Sequence, residues 1–284
     1  MIRLSNEYIE VDVGEYGAEV VKAVDKKTGK DIIWVGDEKY WMRHGPVLFP
    51  LTGSVLNDKY RYKGKEYSII QHGFAKISTF DVTQVTDTSA TLELRSSEET
   101  KKCYPFDFLL KVKFALEGRK VVVDYTVENT GKETSYFSVG AHEGYMLEGG
   151  LSDYHIVFPK KLTLDAYPVL DCGIGRDTYR VLTDTDTLPL CDDWFKVDAL
   201  VFKDIDFGSL KIVKNDGSFA YDVHFEGFPT LLIWSIPTAP FVCIEPWHGF
   251  PDFADFKGEL NEKDLILSLE PGKTYTCRHS FEME

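Results

Sequence analysis

Apolar residues along this chain recur almost everywhere with a period of two. Residues 8–13 show the rule: Ile9, Val11 and Val13 share one face, and Glu10 and Asp12 the other. Paired runs of this kind flank short turn-forming stretches. Residues 20–25 and 31–35 flank 26–30, 60–62 and 66–70 flank Lys63-Gly64-Lys65, and 80–85 and 90–95 flank 86–89. Further on, 108–116 and 120–128 flank Glu117-Gly118-Arg119, 210–214 and 219–225 flank Asn215-Asp216-Gly217, and 265–269 and 274–281 flank 270–273. Helical periodicity is confined to single turns at 98–102 and 258–264. Antiparallel sheets of this extent must close or stack to manage their edges. The chain is therefore expected to be all-β, a large two-sheet sandwich over residues 1–284 as one domain. No fixed-period repeat points to a propeller.

Composition narrows the function. The 284 residues carry 46 acidic and 32 basic side chains, a net charge of −14, which disfavours nucleic acid as a partner. Apolar residues make up 43%, enough for a large core. There is no run of ~18 apolar residues to span a membrane. Residues 1–8 lack the apolar stretch of a signal peptide. The five cysteines (103, 172, 191, 243 and 277) are odd in number and scattered, which fits reduced thiols and a cytoplasmic setting. Oligomeric state is not readable.

Familiar enzyme signatures are missing. The chain has no Gly-x-Ser-x-Gly, P-loop, His-Glu-x-x-His or complete Gly-x-Gly-x-x-Gly, and no His/Cys/Asp cluster at metal-ligand spacing. No metal and no organic cofactor is expected. Four stretches stand out instead. They are Phe49-Pro50-Leu51-Thr52-Gly53 with Gln71-His72-Gly73-Phe74-Ala75, Gly140-Ala141-His142-Glu143-Gly144-Tyr145, Asp198 to Phe202, and Cys243-Ile244-Glu245-Pro246-Trp247-His248-Gly249. Glu245 follows an apolar strand that Pro246 is expected to stop, a partly dry junction that raises a carboxyl's pKa and makes it a usable base. A structural carboxylate is the alternative. His142 lies between glycines that let a ligand approach the backbone, with a core histidine as the alternative. The same pair of readings holds for His72. Trp247, Phe74 and Tyr145 are candidates to stack on the apolar face of a sugar, against ordinary core packing.

Taken together and in this order, the four stretches resemble the bacterial-type branch of the aldose 1-epimerase (galactose mutarotase-like) family. The likeness runs from about Ile9 to Phe281. It implies a β-supersandwich and interconversion of the α and β anomers of a small-molecule sugar. It further implies that Glu245 is the general base at the anomeric hydroxyl and His142 the general acid at the ring oxygen. By the same likeness His72 holds the sugar near that oxygen, and Asp198 binds hydroxyls. Ser54 after Gly53 and Lys76 after Ala75 depart from members that take hexose 6-phosphates with added arginines. Lys76 remains a candidate contact to substrate, and Arg43, His44 and Arg61 are the candidates in the sequence to compensate. A free aldohexose is therefore the expected substrate. The alternatives are a hexose-6-phosphate 1-epimerase and a carbohydrate-binding protein without turnover. His142 and Glu245 together favour catalysis, because a binder needs no acid–base pair.

Overall fold

The computed structural model describes residues 1–218 and 220–283. Nearly all of its regular structure is antiparallel strand. Nine strands form one sheet in the order Tyr179–Pro189, Tyr154–Ala166, Ser209–Lys214, Ala220–His224, Thr274–Met283, Lys120–Asn129, Phe108–Glu117, Ser89–Arg95 and Asp81–Val85. A five-stranded sheet contains Val139–Gly140, Glu143–Met146, Phe241–His248, Thr230–Trp234 and Leu200–Lys203. Ile2–Ser5, Ile9–Val13 and Val20–Asp25 make a smaller sheet. Among the described residues the α-helix Glu98–Cys103 is closed by a capping box between Ser97 and Thr100.

The alternation in sequence becomes sidedness in space. Leu110, Val112 and Phe114 pair with Val127, Tyr125 and Val123 across the large sheet, all buried. The five-stranded sheet is covered on both faces, which explains why its strands read as continuous apolar runs. Leu200, Phe202, Leu231, Ile233, Val242 and Ile244 face the main core. The intervening residues Val201, Leu232, Cys243 and Trp247 belong to separate clusters on the other face. That second face is where the cleft lies.

Several local expectations are corrected. Residues 31–35 do not form a strand with Val20–Asp25 beyond isolated contacts. They run along Glu143–Met146 instead: the Trp34 N–H donates to Gly144 O, and the Met146 N–H to Ile32 O. Leu267–Leu269 and Thr274–Met283 are not a hairpin. The first pairs with Ser135–Phe137 and the second with Lys120–Asn129, and Asn129 Nδ2 binds Leu269 O where they part. Pro246 does not stop its strand, because it needs no donor there and its carbonyl accepts from the Ala141 N–H. Phe219, the first residue of an expected strand, lies outside the described residues. The two longest strands of the outer edge, Tyr154–Ala166 and Tyr179–Pro189, escape a period-two reading because register shifts interrupt their pairing.

Candidate active site

The register of the five-stranded sheet brings the two principal candidates together. Gly140 pairs with Trp247 and Glu143 with Ile244, so the two-residue break between these strands carries His142 opposite Glu245. Their side chains meet at 3.3 Å, Nε2 to Oε2. Leu232 lies beside Glu245, and Val201 beside Leu232, so this row runs straight across the sheet. All four side chains line one cleft of about 850 Å³. Trp247 joins them two residues along the strand, its Nε1 donating to Ala141 O. Gly140 is needed beneath it, since a Cβ there would stand 2.5 Å from Trp247 Cδ1.

Loops supply the remaining walls. His72 adopts a positive φ of 63°. Its Nδ1 accepts from the Gly53 N–H at 3.2 Å, which leaves Nε2 as the ring's donor. Its ring meets those of His142 and Trp247 edge-on, at 5.4 and 5.5 Å. Asp198 lines the cleft with Oδ1 accepting from the Ala199 N–H, and Lys76 lines it as well. Arg43 also reaches the wall, but its guanidinium is held by Glu19 and by Lys76 O, both at 2.6 Å. Burial pushes Glu19 up, and hydrogen bonds from His44 and Arg43 overcome this and keep its carboxyl below the usual range.

Two expected contacts lie elsewhere. Phe74 is absent from the cleft lining, and its ring packs among Phe49, Tyr104 and Phe108 in the core. Tyr145 faces the opposite side of the sheet, against Tyr221 and Phe281. Arg61 sits in the strand Lys59–Tyr62, away from the cleft. Conversely, two tryptophans at the site gave no sequence signal. Trp41 stacks on His142 at 4.9 Å, held by the Trp34 indole donating to its carbonyl. Trp234 meets His142 edge-on at 5.7 Å. Trp234 is two residues from Leu232 on the same strand, a relation that becomes informative once Leu232 is known to face the cleft. Trp41 sits in an aperiodic loop, where nothing in the local pattern gives its direction.

Burial sets the electrostatics. It pushes Glu245 well above the ordinary carboxyl range, and the nearby acids Asp198 and Glu143 add to the effect. The His142 imidazole is driven down to about 4, again chiefly by burial. His72 is held well below its usual value by burial, His142 and Lys76, so it is a neutral donor. Each member of the central pair disfavours its own charge, and their contact lets one proton serve both.

The pattern defining the family described as aldose 1-epimerase matches residues 1–276. The chain belongs to that family. It is 27% identical over 285 residues to the plasmid-borne protein LacX of Lactococcus lactis subsp. lactis, covering 95% of each chain. A galactose mutarotase related enzyme from Lactobacillus acidophilus superposes with a TM-score of 0.95 and 32% identity, covering 99% of this chain and 96% of that one. A galactose mutarotase-like protein from Lactobacillus casei ATCC 334 gives a TM-score of 0.91 at 27% identity, with both chains fully covered. The all-β architecture is thus the galactose mutarotase-like fold of an aldose 1-epimerase family member. Among the described residues no helix is long and apolar enough to cross a membrane.

Proposed function

We propose that this aldose 1-epimerase family member interconverts the α and β anomers of a free aldohexose, with His142 and Glu245 as the proton-transfer pair. The observation that carries this reading is their 3.3 Å contact at the floor of the cleft. O1 and O5 of a cyclic sugar are both bonded to C1, so two groups that line one small region of the cleft can reach both atoms. With the pair's single proton passed from Glu245 to His142 across their contact, Glu245 takes the proton from the O1 hydroxyl as the C1–O5 bond breaks, and His142 gives its proton to O5. The result is an open aldehyde with a free O5 hydroxyl. Rotation about C1–C2 presents the other carbonyl face, and ring closure runs the two transfers backwards. Such transfers contribute ~10²–10⁴-fold, and positioning adds to this.

The other residues take holding roles. His72 Nε2–H faces a sugar oxygen as a neutral donor, and Asp198 accepts from a hydroxyl. Trp247 and Trp41 exclude water from the pair and offer apolar surface to a ring face.

Reactivity requires one proton on the pair, so the rate is expected to follow a bell in pH. Below the acid limb, near the His142 value of about 4, the pair holds two protons and has no base. Above the raised Glu245 value it holds none to give. The limbs belong to the pair jointly. Rates corrected for spontaneous mutarotation should fall at both ends, and a steady climb into alkali would contradict the pair.

A neutral substrate suits a cleft whose Arg43 is already matched by Glu19 and whose walls include Asp58, Asp171 and Asp198. One observation favours a second reading, a hexose 6-phosphate. Lys76 lines the cleft, and among the described residues no carboxylate lies within ion-pair distance of its ammonium. Polarimetry on freshly dissolved α-glucose, α-galactose and the 6-phosphate of each, at matched ionic strength, separates the two. Higher kcat/KM for the free sugars is expected. A clear preference for the phosphates that vanishes in Lys76→Met would establish the second reading instead.

A further inference from the structure

Cysteine 243 has no part in the proton transfers, yet it lies beside them. It is two residues before Glu245 on the same strand and belongs to the same face of the sheet. Cys243, Glu245 and His142 each present a ligand atom, and the three atoms all lie within 4.8 Å of one another. The grouping is invisible in sequence because one member, His142, comes from the break between two strands far away in the chain. We propose that His142 Nε2, Cys243 Sγ and Glu245 Oε2 form a binding site for zinc, and that the ion and the sugar exclude one another there.

The donor set is one imidazole, one thiol and one carboxylate, all three types that bind Zn²⁺. A tetrahedral zinc with bonds of ~2.0–2.3 Å spaces its ligand atoms ~3.3–3.8 Å apart. The His142 to Glu245 separation of 3.3 Å already matches an edge between a nitrogen and an oxygen ligand. With all three ligand atoms within 4.8 Å of one another, the sulfur has to close by no more than about 1 Å to reach such an edge. The buried Nδ1 of His142 has no hydrogen-bond partner, so no hydrogen bond at that atom fixes the ring, which is held by packing against Trp41, Trp234 and His72. The open side of the triad is the cleft that His142 and Glu245 line, which gives the ion its path and leaves a fourth position for water. On binding, the thiol gives its proton to solvent and the thiolate sulfur bonds the metal. The ion then occupies the lone pairs needed at O1 and O5. Zinc is therefore an inhibitor of the proposed reaction and not its cofactor. The exclusion half of the proposal rests on the function proposed above, whereas binding does not.

The test starts from the purified full chain in a Cys172→Ser background, which removes an exposed thiol at the cleft. Equilibrium dialysis against zinc chloride, without sugar, is expected to give one ion per chain. Cadmium as a probe should add an ultraviolet thiolate-to-metal band. Cys243→Ser, close to isosteric, should weaken binding by at least ~10-fold and abolish the band, and Cys243→Ala should do the same. Micromolar zinc should slow anomer exchange by the parent protein but not by Cys243→Ser, whose activity without zinc is expected to be retained. Zinc bound equally well by Cys243→Ser, or not bound stoichiometrically at all, would overturn the site. Because binding is read without sugar, a protein that binds zinc through Cys243 but turns over no aldose would refute the function alone.

Discussion

Glu245→Gln is expected to lower the rate of anomer exchange by about 10²–10⁴-fold, the range attributable to positioned proton transfer. The amide keeps the shape of the carboxylate but cannot take the O1 proton. Stability should not suffer. The carboxyl is almost fully enclosed, and its ionised form is opposed by burial and by Asp198 and Glu143. A neutral amide avoids that cost, so the melting temperature should stay level or rise. Saturation kinetics beside a thermal melt distinguish loss of chemistry from loss of fold. A variant with near-normal turnover would remove the carboxylate from the mechanism.

Gly73→Ala should be severe in the opposite sense, damaging the fold and the site together. Gly73 holds a φ of +70°, and a Cβ would stand 2.3 Å from Phe49 O and 2.7 Å from Pro50 N. Backbone atoms cannot swing aside as a side chain can. Positive φ costs ~1–2 kcal/mol for a residue with a Cβ, and overpacking adds ~1–3 kcal/mol. A total of ~2–5 kcal/mol would lower the melting temperature by roughly 3–8 °C in a chain of this size. Gly64 is the control: its φ is +74°, but a Cβ there meets nothing within 4 Å. Gly64→Ala should therefore lose only the conformational part. Since His72 precedes Gly73, the first variant should also raise KM where it folds. Equal melts for the two variants would show that the contact with Phe49 is not the source of the effect.

Much of this organisation was legible in the chain because strand sidedness is a local property. Ile9, Val11 and Val13 show their common face without any knowledge of their neighbours, and the turns at 63–65 and 117–119 declare their hairpins. What the pattern does not carry is pairing between distant strands. Leu267–Leu269 alternates like a hairpin arm, but it leaves Thr274–Met283 for Ser135–Phe137. The same limit applies to the site. Glu245 and His142 stand out singly, but their meeting depends on the register between Phe241–His248 and two short strands far away in sequence. Phe74 and Tyr145 illustrate the reverse error. An aromatic beside a conspicuous motif is read as facing a ligand, while in each case the backbone direction turns the ring into the core. Cys243 was unremarkable for a related reason, since spacing rules for metal ligands look along the chain and its partner His142 comes from across the sheet.

The central claim is that His142 and Glu245 act on one sugar as a single device, and a double-mutant cycle read by NMR anomer exchange tests it most directly. The wild type, His142→Ala, Glu245→Gln and the double variant are compared on a free aldohexose at equilibrium, with the spontaneous rate subtracted. Removing either member leaves the other without a transfer to complete. Each single variant should therefore lose most of the enzymatic exchange, and the double variant should be little slower than the singles. Losses that multiply, or substantial exchange surviving in either single variant, would contradict a coupled pair.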